Sequence, residues 1–273
     1  MSWEAWLFTS MQAVFVFLMM NNRALLPDYM RSERFLRHGI LKGQAFPDSD
    51  APEEFQARVA VRERAAVRVS AVALAVAVVA IVLIRININT TLVTLFIAGL
   101  LGRSVASAVL GARDAWTAGT GVRVSRGRRV TLADFVPVWA VLAVILTQIV
   151  AVVATVLLAD GAPWWPWVVA VVVIVAIGGT VMASWLASQP QAAASGIELA
   201  WADAVRREDV VGLLAIGIMA SYVVFSVAGF ADLAVRLALC GLAFVVFLAL
   251  ELSSVHRMRR RLWAPLEVAD ADR

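Results

Sequence analysis

Residues Val136–Leu158 read VPVWAVLAVILTQIVAVVATVLL, without one charged side chain. The stretch follows Arg126-Gly127-Arg128-Arg129 and gives way to Ala159-Asp160. An α-helix needs about 20 apolar residues to cross a ~30 Å hydrocarbon core. This run has that length, a basic flank at one end and a short turn at the other. It reads as a membrane span with its basic end on the cytoplasmic side.

The same pattern extends in both directions. Apolar runs occupy Trp3–Met20, Val69–Ile86, Thr90–Leu110, Trp165–Ala187, Val211–Ala228 and Ala231–Leu252. The chain is 62% hydrophobic and 16% charged, whereas a soluble domain carries about 25% charge. The expected fold is an all-α polytopic membrane bundle of about seven transmembrane helices. Six is the alternative count if the short first run lies in the interface, since Gln12 interrupts it. The organisation follows: a first span over 1–20, a cytoplasmic segment over 21–68 with an amphipathic surface helix, a six-helix bundle in three hairpins over 69–252, and a basic tail over 253–273.

Charge sets the orientation. Segments 21–68, 111–135, 188–210 and 253–273 carry nine, five, two and five Lys/Arg. The opposite connections hold only Arg85, at a helix edge. This positive-inside bias places the N-terminus outside and the C-terminus in the cytoplasm. Twenty-three of the basic residues are Arg and one is Lys42, beside heavy Ala and Val usage. That bias points to a GC-rich bacterial source, hence a bacterial inner (plasma) membrane. With no basic domain apart from the membrane, nucleic acid is not an expected partner; anionic phospholipid is.

Few residues stand out as chemical candidates. Arg103 and Arg236 lie inside apolar runs. Arg103 reads either as snorkelling to the headgroups or as facing a cavity. Asp232 precedes Arg236 by four residues, the spacing of a helical ion pair. Gln148 sits near the middle of its span, where an amide seeks a partner helix or a hydrated cavity. Gly99, Gly102, Ala106, Gly179, Ala183 and Ala187 form small-residue faces suited to close helix packing or self-association.

The inner segment Leu199–Asp209 reads as an amphipathic helix. Its Trp201, Arg206 and Arg207 are candidates for contact with lipid or a soluble partner, as are Arg259, Arg260 and Arg261 in the tail. The lone Cys240 excludes an internal disulfide, and no metal-binding, nucleotide-binding or nucleophile motif occurs. No cofactor and no metal site are expected. The functional expectation is a non-catalytic membrane component of a transport or export system, contacting a cytoplasmic ATPase or other soluble partner through its inner loops. The alternatives are a self-sufficient small-molecule carrier, a membrane-embedded enzyme, and a lipid-interacting structural protein.

Overall fold

The computed structural model describes residues 9–14, 17, 53–84, 91, 95, 98–99, 101–106, 109–110, 113, 130–158, 165–189, 193, 195–227 and 233–263. Nearly all of these are helical, and there is no strand among them. The helices with continuous bounds are α1 (Glu53–Ile84), α2 (Leu132–Phe135), α3 (Val138–Leu158), α4 (Trp165–Ser188), α5 (Gly196–Val227) and α6 (Leu233–Met258). A π-helical turn, Arg259–Trp263, closes α6. Further helical residues lie at 9–14 and between 91 and 113.

Three helical stretches, Ala57–Val82, Val138–Leu157 and Leu237–Trp263, are long and apolar enough to cross a membrane. Their side chains agree with an apolar surround. Along α3, Val138, Leu142, Leu146, Ile149 and Val153 all point outward, and Leu146 is 61% exposed. Ile174, Ile177 and Val181 of α4 and Leu237, Val245 and Leu252 of α6 do the same. A water-facing helix buries such residues, because each leaves apolar area in water otherwise.

The fifth helix forms the centre. From Glu198 to Phe225 most of α5 is buried, and α3, α4 and α6 all pack on it. The boundary expected at 68/69 falls inside α1, which runs unbroken for 32 residues. The amphipathic segment before Val211 is likewise continuous with the apolar segment after it, within the 32 residues of α5. Each helix is therefore about 48 Å long, roughly 18 Å more than a hydrocarbon core. The charged segments are extensions of apolar helices. They do not lie as separate helices along a surface.

Two glycine contacts set the helix spacing. A Cβ at Gly102 would lie 2.8 Å from the Ala73 Cβ and 3.1 Å from the Val69 carbonyl oxygen. Ser70 Oγ donates to the Gly99 carbonyl at 3.2 Å in the same seam. On α4, a Cβ at Gly179 would lie 2.8 Å from the Leu213 carbonyl oxygen of α5. Ala183 and Ala187, one and two turns on, are fully buried. The small-residue faces thus serve packing within the chain.

Candidate functional site

The polar side chains gather at the end of the bundle where α1 and α5 begin. Ser195 stands just before α5, and its hydroxyl accepts the Glu198 backbone N–H at 3.1 Å. This capping arrangement satisfies one of the first-turn donors. It also brings the Glu198 carboxylate to face α1, where Arg58 pairs with it. Arg58 lies 5.8 Å above the Phe55 ring as well. Three turns further along α5, the buried Asp209 pairs with Arg62. Both pairs run in the same order along the two helices, so α1 and α5 are parallel there.

A third pair links Glu63, on the neighbouring face of α1, to Arg103. Ser104, beside it, meets Gly212 of α5. Arg103 therefore bridges to α1 through a buried carboxylate. A fourth pair joins Arg207 to Glu251 of α6. The Arg207 guanidinium also donates to Ser254 Oγ at 2.7 Å and to the Glu251 carbonyl at 2.8 Å. Arg206 donates to the Gln189 carbonyl just past the end of α4. A cation there complements the C-terminal end of a helix dipole.

The result is a layer of charge tying α1, α5, α6 and the segment around Arg103 together. Glu63, Glu198, Asp203, Arg206, Arg207 and Asp209 are all buried in it. A buried charge is tolerated only when paired and hydrogen-bonded. Burial pushes the Asp209 carboxyl above its ordinary value, and the facing Arg62 opposes that rise. Asp209 stands just before the apolar part of α5, outside the expected span.

The structure separates the sequence candidates. Trp201, Arg206 and Arg207 are interior, with Arg207 only 2% exposed, so they present no surface to lipid or to a partner. Arg259, Arg260 and Arg261 are exposed, while Leu262 and Trp263 turn back into the core. Gln148 is buried against Gly217 of α5. It lines a largely apolar cavity of about 440 Å³ between α3 and α4, with Thr180 across from it. Asp232 lies outside the described residues, as does the side chain of Arg236, whose backbone is helical. Among the described residues, no cluster of His, Cys, Asp or Glu is arranged to hold a metal ion.

Sequence reasoning missed Arg58, Arg62, Glu63, Glu198 and Glu251. Only one had a local signal: Ser195-x-x-Glu198 is a capping pattern. The others pair across 40 to 147 residues, a separation that spacing rules do not reach. No known family model matches the chain, and comparison with curated proteins and with solved structures finds no match.

Proposed function

We propose that the chain is a multi-pass inner-membrane protein of about seven spans, acting as a non-catalytic component of a transport or export system. In this reading the charged end of the bundle faces the cytoplasm of a bacterium and docks an ATP-hydrolysing or other soluble partner. The observation that supports it is the pair of unbroken 32-residue helices, α1 and α5. Their charged extensions are cross-tied by ion pairs into a rigid platform beyond the expected core. A rigid platform transmits force or shape from a soluble engine into the spans, which loose loops do not.

Because Trp201, Arg206 and Arg207 are interior, the docking face in this reading comprises the exposed arginines of α1 and of the π turn, among them Arg64 and Arg259. The test is affinity capture of the full chain in mild detergent. Recovery of one soluble protein, lost on Arg64→Glu with Arg259→Glu, supports the reading. Capture of no soluble protein by an intact, folded chain overturns it. Orientation is tested separately. A Cys240→Ala, Arg260→Cys chain is expected to react with an impermeant maleimide only after the cell is opened.

A second reading, a self-sufficient carrier, draws on the cavity beside Gln148. The near absence of polar lining there suits an apolar solute. Unchanged flux in vesicles carrying Gln148→Leu removes that reading.

A further inference from the structure

Where α6 ends beside the start of α3, a second cavity of about 460 Å³ opens. Trp139, Ser253, His256, Arg257, Arg260 and Arg261 line it, together with Pro137. None of these lining side chains is an Asp or Glu, so the cavity wall is basic. Arg257 Nε donates to the Ala133 carbonyl at 2.9 Å, which fixes the plane of its guanidinium against α2. That segment is itself held by Asp134, which accepts the Thr131 backbone N–H at 2.9 Å. The basic lining therefore rests on a braced corner of the fold.

We propose that this cavity binds the phosphate headgroup of an anionic phospholipid. The inference rests on the membrane reading above and adds a discrete site to it. Three guanidinium groups and an imidazole converge, and arginine matches phosphate oxygens with paired N–H donors. Trp139 is 55% exposed on the first turn of α3, where an indole sits at the level of headgroups.

The apolar continuation selects a lipid over a free phosphate. Leu142 and Leu146 follow Trp139 at helical spacing, and both are outward-facing. On α6, Leu252 lies one turn before His256, and Val245 two turns further back. Leu252 is 72% exposed and Val245 60%. Acyl chains below a bound headgroup meet these two faces, whereas inorganic phosphate gains nothing from them.

The test uses the full-length chain, purified in mild detergent and exchanged into bilayers of phosphatidylcholine and phosphatidylglycerol in equal amounts. Lipid retained after re-extraction is counted by native mass spectrometry. Phosphatidylglycerol is expected to be retained in preference to phosphatidylcholine. Arg260→Gln should lower that retention about fivefold, the contribution of one arginine beside an anionic lipid. His256→Gln, which leaves every arginine in place, is the second variant and should lower it as well. Arg68→Gln, on α1, should leave it unchanged.

Equal retention of the two lipids overturns the proposal. So does undiminished retention in both cavity variants. Sodium phosphate raising the unfolding temperature as much as the lipid does would make this a soluble-phosphate site and overturn the lipid assignment. Failure of the membrane reading has a different signature: alkaline carbonate would release the chain from membranes without detergent.

Discussion

Arg62 and Asp209 are 147 residues apart in sequence and form an ion pair between α1 and α5, in which the Asp209 side chain is only 9% exposed. Removing one partner leaves the other charge in a desolvated site. Breaking a buried pair in this way costs about 3–5 kcal/mol. Arg62→Gln is therefore expected to lower stability by that order in a thermal melt in mild detergent. In the Arg58–Glu198 pair the carboxylate is just as buried, at 9%, and the difference lies in the arginine, which is 52% exposed. Replacing that solvent-screened arginine lets water reach Glu198, so Arg58→Gln should cost less than Arg62→Gln. Equal losses at both sites would refute the burial argument.

Asp209 also carries a pH dependence. Burial raises its carboxyl above the ordinary value in the folded chain. The folded state then binds the proton more readily than the unfolded state. This group's contribution is complete below the ordinary carboxylate range and fades as pH rises through the raised folded value. Asp209→Asn removes that titration. The unfolding temperature of Asp209→Asn minus that of the native chain should therefore increase as pH rises from about 4 to 7. A difference that is constant across this range, or one that falls, would show that pairing with Arg62 outweighs burial.

Legibility in the sequence differs by residue. The apolar runs containing Leu142, Ile174 and Leu237 were plain, because a long uncharged run has a meaning of its own in a membrane. The extension of α1 was not. Arg62 and Glu63 read as a solvated helix face, and only the partners supplied by Asp209 and Arg103 make them interior. The same holds for Arg207, whose partners Glu251 and Ser254 lie 44 and 47 residues away. Local spacing carries the period of a helix. It carries no record of which distant helix faces which.

Close helix approach gives a third expectation. The Gly102 backbone sits against Val69, Ser70 and Ala73, so Gly102→Val must push α1 away. Overpacking of this kind costs about 1–3 kcal/mol. Gly178, next to the tightly packed Gly179, has open space where a Cβ would go. Gly178→Ala should therefore be neutral, or stabilising by up to about 1 kcal/mol, since alanine is the better helix former. Thermal melts of the two variants, side by side, separate the seam residue from the spare glycine. A loss at Gly178→Ala as large as that at Gly102→Val would contradict the packing.

Gln148 and Gly217 yield the last test, because each limits the other. A methyl group at Gly217 would run into the Gln148 amide. The amide has one direction in which to yield, the cavity it already lines between α3 and α4. Gly217→Ala alone should thus destabilise the bundle by about 1–3 kcal/mol, the range for forced overpacking. Gln148→Ala alone loses packing and any helix–helix hydrogen bonding of the amide, the latter worth about 0.6–1.7 kcal/mol between membrane helices. Together, the second substitution makes room for the first, so the double variant should lose less than the sum. Neighbouring residues couple by about 0.5–3 kcal/mol, while independent sites add to within about 0.5 kcal/mol. A double-mutant cycle by denaturation in detergent decides between these. Strict additivity would mean that Gln148 does not press on α5, and the mid-bundle contact between α3 and α5 would have to be redrawn.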